Sequence, residues 1–563
     1  MFLRVSRQKL KNGKVLETFQ LAESVWQRQT KRARTNIVHN FGRVDDPAVV
    51  ERLRKLARSI LRRCSPDELV ADMPGWKVVD AWPYGPLHAV EELWKRVGLD
   101  KIIKGRVRRR RFGFDVERAV FAMVANRALA PCSKLYCFEQ WLREDIRIDG
   151  TDKLELQHLY RAMDFLEAEK EAIEKAVYFN LADLLNLDVD LVFYDTTSLH
   201  FEIDEEDEGA GEEDLVRGST LAGSKKYKAP RKRGYSKNGR GDVPQIVVGL
   251  AVTREGLPVR HWVFPGNTVD VTTVKQVKDD LRGWKLGRCV FVGDAGMVSE
   301  DNLKHLRRGG GSYIVCMPLK RGSEVATQVT TRAGRYKQVA GNLQVKEVVV
   351  GAGARQNRYV VCYNPQEATR QRRHRAKVLA ELEAELIALK DLDSDKYTKR
   401  VFELVASRRY GRYLRRTKTG KLRVDRSAVK SAEKLDGKFV VHSNDDTLSA
   451  EDMALGYKQL MRVEQAWRQL KSVLRMRPVY HWAPHRIHAH IFLTVLGLLL
   501  QRMAEEACGD TWRNLSDDLK QIKLAQLSGP DGTLWQVTEP RPEARSRLKS
   551  LGINNLPTLL APR

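Results

Sequence analysis

Between residues 189 and 294 the chain reads as strand, strand, strand, helix, strand, and this order constrains the fold more than any other feature. Val189–Tyr194 is a buried-strand run that ends in Asp195. Ile246–Val252 and Val259–Phe264 are two further strands, with Arg254-Glu255-Gly256 as the hairpin turn between them. Asp270–Leu281 has helical spacing with Asp270 as its N-cap, and Cys289–Gly293 is another buried run, ending in Asp294. Short continuous apolar runs of this kind, separated by a helix, belong to an α/β sheet covered on both faces. A carboxylate at the C-terminal end of a buried strand sits where backbone groups are free and a ligand can approach. One such Asp reads equally well as a turn cap; two, in this strand order, point to a site.

A third carboxylate follows much later. Phe439–His442 is a strand, and a long helical stretch runs from Asp446 or Thr447 to about Leu474. Tyr457, Leu460, Glu464, Arg468 and Lys471 recur at fours and sevens, so on one continuous helix they form a stripe about 21 Å long. Beside it Leu460, Val463, Trp467, Leu470 and Leu474 make an apolar stripe that fixes the helix's rotation and aims Glu464 elsewhere. Taken alone, the polar stripe is a surface row with one Glu464–Arg468 ion pair. Taken with Asp195 and Asp294, it completes three carboxylates, two on strands and one on a helix, which suits two-metal phosphoryl transfer. Mg²⁺ takes hard oxygen ligands and relies on a few carboxylates plus substrate phosphates.

The charge balance supplies the phosphate-bearing partner. The 563 residues carry a net charge of +27, which points to nucleic acid. At 42% hydrophobic the chain is too apolar for disorder. Its most apolar run, Ile491–Leu500, is about half a membrane span, and the polar N-terminus has no signal-peptide core. Seven scattered cysteines without a CxxC pair read as reduced thiols, not a disulfide frame or zinc site.

Residues 1–45 read as a small β-rich module, with Asn12-Gly13 as a hairpin turn. Residues 46–185 read as helical and carry the knot Arg106, Arg108, Arg109, Arg110 and Arg111, suited to phosphate contact. Residues 186–319 form the first part of the α/β core. Within it Glu202–Asp214 is an acidic block read as a solvated loop, followed by a basic one. Residues 320–435 read as an insertion, β-rich and then basic. There Arg408, Arg409 and Arg412 alternate with Tyr410 and Tyr413, a composition suited to backbone contact with base stacking. Residues 436–505 return to the core with the Glu464 helix, and 506–563 form a C-terminal region suited to dimerisation. His481, His485, His488 and His490 cluster, but their spacing cannot place all four on one helix face, so they read as caps and packing residues.

The sequence resembles the DDE transposases of bacterial insertion sequences, in the insertion-sequence-four superfamily, and within it the long branch numbered sixteen thirty-four. The resemblance rests on FYDTTSLHFE (193–202), the run from GYSKNGRGD to FPGNTVD (234–270), VFVGDAGMVSEDNL (290–303), YKQLMRVEQAWRQLKSVLRMRPVYHW (457–482) and RIHAHI (486–491). It implies a ribonuclease-H-like α/β core with a largely β insertion domain, preceded by the β module and a helical DNA-binding region. Asp195, Asp294 and Glu464 would be the catalytic, metal-binding triad for two Mg²⁺ ions, with Mn²⁺ able to substitute. The implied reaction frees a 3′-OH at the terminal inverted repeat and joins it to target DNA, by cut-and-paste with a hairpin as one route. Tyr457 and Lys471 would hold phosphates, and Lys237 and Arg240 would contact DNA. The superfamily's helix signature carries an arginine where Leu460 stands, so Arg468, or Arg462 less directly, would supply that guanidinium. The partners implied are double-stranded DNA and a second copy in a synaptic homodimer, in the bacterial cytoplasm at the nucleoid, with no membrane. Three other readings stay open: an inactive descendant that only binds DNA, a ribonuclease-H-like nuclease without strand transfer, and a basic ribosome- or RNA-associated structural protein, which would leave the triad unexplained.

Overall fold

The computed structural model describes residues 1–10, 14–27, 32–61, 76–108, 110–184, 191–208, 216–217, 226–227, 230–284, 289–319, 323, 325–351, 357–418, 420–530 and 532–560. The chain divides into two compact units: Met1–Ala81 with Ala525–Gln536 and Leu559–Arg563, and Trp82–Leu524 with Val537–Thr558. Asn12-Gly13, Arg109 and the second part of the acidic block (209–214) lie outside the described residues.

In the first unit β1 (Phe2–Lys9), β2 (Val15–Gln27) and β3 (Arg32–Arg43) form an antiparallel sheet, followed by α1 (Pro47–Leu61). The pairing Leu3↔Leu21 and Val5↔Phe19 puts these side chains on one face. Leu3, Phe19 and Leu21 line an apolar cleft with Val50 and Leu53 of α1.

The second unit opens with helices α2 (Gly85–Arg96), α3 (Val116–Leu129) and α4 (Leu156–Ala168). Its centre is a nine-stranded mixed sheet. The strands are β4 (Leu191–His200), β5 (Gln245–Val252), β6 (Pro258–Pro265), β7 (Val290–Gly293), β8 (Ser312–Met317), β9 (Lys337–Ala340), β10 (Leu343–Val350), β11 (Asn357–Tyr363) and β12 (Lys438–Ser443). Their spatial order is β9-β10-β11-β12-β8-β7-β4-β5-β6. β4, β7 and β8 run parallel, whereas β5 is antiparallel to β4, and β6 to β5. The strands of residues 320–363 form no layer of their own. They extend this sheet, because β11 pairs with β12, which pairs in turn with β8.

Helices cover both faces. Strand alternation sends Leu191, Phe193, Val290 and Val292 to one face, where they pack with α6 (Ala450–Lys458), α7 (Met461–Ser472) and α8 (Pro484–Cys508). Val192, Tyr194 and Phe291 go to the other face, against Val274, Val277 and Leu281 of α5 (Asp270–Arg282). α8 is long and apolar enough by composition to cross a membrane, but 89% of its most apolar window is buried inside the protein. It packs against α2, α3, α4 and β6, so a helix apolar on every side is here a core helix.

The structure departs from the sequence reading at four places. β4 does not end at Asp195 but continues to His200, since β5 keeps pairing with it through Gln245. The expected continuous helix from 446 to 474 is two helices, α6 capped by Ser449 and α7 beginning after Leu460. Asp270 is not an N-cap: that position is Val269, and no side-chain capping bond forms there. The described part of the acidic block is not a free solvated loop. Glu202 pairs with Arg240, Glu206 with Arg233, and Asp207 with Arg231.

Candidate active site

Asp195 owes its surroundings to a change of strand partners. β7 pairs with β4 only from Leu191 to Phe193, whereas β5 pairs with it from Phe193 to His200. On the β7 side, therefore, β4 is an open edge from Tyr194 onward. Val292 lies opposite Phe193, so Asp294, just past β7, comes level with Asp195. By alternation both carboxylates belong to the face covered by α6 and α7.

The segment Ser236–Arg240 closes the open edge with side chains in place of a strand. The Lys237 ammonium donates to the Thr196 carbonyl (2.8 Å) and hydroxyl (2.7 Å), and Asn238 Nδ2 donates to the Ser198 carbonyl (2.7 Å). Lys237 Nζ also pairs with Asp270 Oδ2 at 2.9 Å and stands 3.7 Å from Asp195 Oδ1. Burial pushes the Asp195 carboxyl up to about 6; Lys237 opposes the shift, and the nearby Asp270 and Asp294 add to it. Carboxylates crowded in this way accept a divalent cation readily.

The two helices approach from above. Tyr457 of α6 donates its hydroxyl to Asp294 Oδ1 (3.1 Å). Lys471 of α7 donates to Asn238 Oδ1 (3.1 Å), and burial, with Arg477 and Lys237 nearby, lowers its ammonium to about 8. α7 packs on β4 and β5, with Arg462 beside the Gly256 turn at one end and Lys471 at the other. Glu464 lies between these two anchors and is exposed, as are Arg462 and Arg468. The buried stripe of α7 is Val463, Ala466, Trp467 and Leu470. Among the described residues, no three His, Cys, Asp or Glu side chains stand close enough together to cage a metal ion. The donors at the β4–β7 edge, Asp195 and Asp294, are all oxygen and fit a hard cation such as Mg²⁺.

The basic residues divide by what they touch. Arg106 and Arg110 are engaged by Glu169, while Arg108 and Arg111 are exposed. Arg240 pairs with Asp242 (2.9 Å) and Glu202 (3.3 Å). Arg408 stacks over Tyr235, Arg409 pairs with Glu381, and Arg412 lies over Tyr413 at 4.7 Å. Tyr413 is buried and Tyr410 donates to Glu381, so these tyrosines pack the 365–433 region and offer no stacking platform for a base. The four histidines are structural. His490 meets the Met476 carbonyl, His485 pairs with Asp164, His488 faces Glu167, and the His481 ring packs against Tyr160 and His490.

Asp270, Thr196 and Asn238 escaped the sequence reading. Asp270 at the head of a helix carries the same signal as a cap, and only the strand pairing reveals which edge Thr196 and Asn238 occupy.

The Transposase DDE domain family matches residues 215–500, and the IS1634 family transposase, N-terminal domain matches residues 3–69. Asp294, Tyr457, Glu464 and Lys471 fall inside the first match, and Asp195 lies just ahead of it. No curated protein matches the chain. Among solved structures, one described as the cryo-EM structure of piggyBac transposase synaptic complex with hairpin DNA aligns with 78% of this chain and 79% of that one. Its identity is 10% and its TM-score 0.31.

Proposed function

The chain belongs to the DDE transposases of the IS1634 family, and from that premise we propose that it cuts DNA at the inverted-repeat ends of its insertion sequence and joins them to target DNA. The observation that carries this reading is the level pair Asp195 and Asp294 on one face of the sheet, with Tyr457 and Lys471 brought over it by α6 and α7. A ribonuclease-H-like core is supported by the order β6-β5-β4-β7-β8, three–two–one–four–five along the chain, with only the second strand antiparallel to the rest.

In this reading Asp195, Asp294 and Glu464 hold two Mg²⁺ ions, or Mn²⁺ in their place. When bound, the ions supply Lewis-acid chemistry at the scissile phosphate. Asp195 is partly buried, which raises its carboxyl, and its side chain keeps a face open to a cation. Tyr457 orients Asp294 through its hydroxyl, and Lys471 offers an ammonium to the phosphate of the terminal nucleotide. Arg468, exposed on α7, supplies the guanidinium that Leu460 lacks. Hydrolysis at the transposon end leaves a 3′-OH, which attacks the other strand or the target with no protein–DNA covalent bond. Arg108 and Arg111 of residues 46–185 hold phosphates near the ends, and the basic part of residues 320–435 lies along the DNA. Two copies synapse the two ends, with residues 506–563 as the dimerising region.

The test is cleavage of labelled DNA carrying the element's terminal repeats in Mg²⁺, with wild type beside Asp195→Ala. The expected result is a nick with a 3′-OH at the repeat boundary, lost in the variant while DNA binding persists. If both proteins bind the ends and neither cuts, the chain is a DNA-binding descendant. Cleavage without joining would make it a nuclease.

A further inference from the structure

Lys237 stands between the carboxylates Asp270 and Asp195, and the structure holds it in an unusual way. An ammonium has three N–H donors. Two are taken, by the Thr196 carbonyl at 2.8 Å and the Thr196 hydroxyl at 2.7 Å, and the ammonium is ion-paired with Asp270 Oδ2 at 2.9 Å. Asp195 Oδ1, 3.7 Å away, receives the charge but no hydrogen bond. The other oxygen of Asp270 accepts the Thr196 hydroxyl, which locks the hydroxyl as an acceptor for Lys237. Thr196 itself is 1% exposed and cannot turn away.

Asp270 reaches this position from the far side of the sheet. It heads α5, which packs on the face of Val192 and Tyr194, whereas Asp195 belongs to the face under α7. Lys237 spans the two faces through the gap left where β7 stops. Asp270 makes no capping bond, and its two oxygens are engaged by Thr196 and Lys237.

We propose that Asp270 is a positioning residue that holds the Lys237 ammonium off Asp195, leaving that carboxylate open to a divalent cation. Without the Asp270 charge, the ammonium has Asp195, 3.7 Å away, as its nearest anion. The ammonium then closes onto Asp195 and competes with the cation for it. With Asp270 in place, Lys237 offsets the mutual repulsion of Asp195 and Asp294 while leaving their oxygens unblocked. This inference rests on the reading of Asp195 as a metal-holding residue.

The experiment is Mn²⁺ binding to the full-length protein without DNA, followed by calorimetry and by the loss of the free-ion electron paramagnetic resonance signal. Asp270→Asn keeps the shape and an acceptor for the Thr196 hydroxyl, and it should bind Mn²⁺ about tenfold more weakly, the scale of one charge-assisted hydrogen bond. Lys237→Met should bind no more weakly than wild type. The double variant Asp270→Asn, Lys237→Met should return to within about twofold of wild type, because Asp270 acts only through Lys237. Far-UV circular dichroism and melting of each variant separate these changes from loss of fold. Should Asp270→Asn not fold, Lys237→Met still decides, since weaker binding there means that the lysine assists the cation and overturns the proposal. Wild-type affinity in Asp270→Asn, or a double variant as weak as the single, overturns it as well. If wild type shows no Mn²⁺ binding that Asp195→Ala removes, the metal reading of the site falls, and this inference with it.

Discussion

Leu460 stands where the resemblance calls for an arginine, and its surroundings explain why none is there. It is 7% exposed at the start of α7 and packs in the cluster of Leu191, Phe193, Val463 and Trp467. An arginine at this point would push its stem and charge into an apolar cluster, with the exposed Glu464 one turn on as its nearest acid along the helix, so Leu460→Arg is expected to cost about 3 kcal/mol in urea unfolding. Arg468→Ala changes an exposed side chain, so the same measurement should move by less than about 0.5 kcal/mol while cleavage of the terminal repeats falls. An Arg468→Ala protein that cuts like wild type would remove Arg468 from the site, and a tolerated Leu460→Arg would contradict the packing. At this scale Asp195 and Asp294 were legible because a buried-strand pattern interrupted by an acid is visible in one dimension. Asp270 was not: an acid heading a helix looks the same whether it caps its own backbone or crosses a sheet edge to hold Lys237.

The stripe from Tyr457 to Lys471 was drawn on one helix, and the chain instead breaks at Gln459–Leu460. Leu460 N donates to the Tyr457 carbonyl and Arg462 N to that of Gln459, tight turns that separate α6 from α7. The apolar spacing runs through the break, since Met453, Leu460, Val463 and Trp467 all still face the sheet, so periodicity could not reveal it. Its consequence is a division of labour: α6 brings Tyr457 to Asp294, and α7 brings Lys471 to Asn238. The turn after α7 is held by His490, whose Nε2 meets the Met476 carbonyl, with His481 beside it. Burial lowers both imidazoles, His481 to about 3 and His490 well below its ordinary value, and the cations Arg127 and Lys134 add to this, with Arg486 opposed by Asp164 at His481. Each histidine is therefore neutral in the fold but takes a proton on unfolding below pH 6.5. Its stabilisation is complete above 6.5 and is lost as the pH falls toward the folded value. Replacing His481 by Gln should shrink the stability lost between pH 7 and 5.5 by about 1 kcal/mol, read from urea midpoints at the two pH values. An unchanged pH dependence would mean that His481 takes up its proton as readily in the fold as in the unfolded chain.

Over the whole chain the net charge of +27 announces a polyanionic partner, but pairing decides which cations remain to meet it. The sequence places Lys and Arg in runs, while the acids that neutralise them arrive from elsewhere in the fold. Asp207, Glu206 and Glu202 engage Arg231, Arg233 and Arg240, Glu169 engages Arg106 and Arg110, and Glu385 and Glu403 hold Arg400. Arg108 and Arg111 stay exposed. If they meet DNA phosphates, each releases counterions on binding and adds about 0.9 to the slope of log affinity against log salt. The double variant Arg108→Ala, Arg111→Ala should therefore flatten that slope by about 2, measured on end-repeat DNA between 50 and 200 mM salt. Arg400→Ala removes the same unit charge, but from a guanidinium already held by two carboxylates, and should leave the slope unchanged. Equal flattening by both changes would mean that binding follows net charge alone and no particular phosphate contact. A double variant with the wild-type slope would move the DNA away from this part of the helical region altogether.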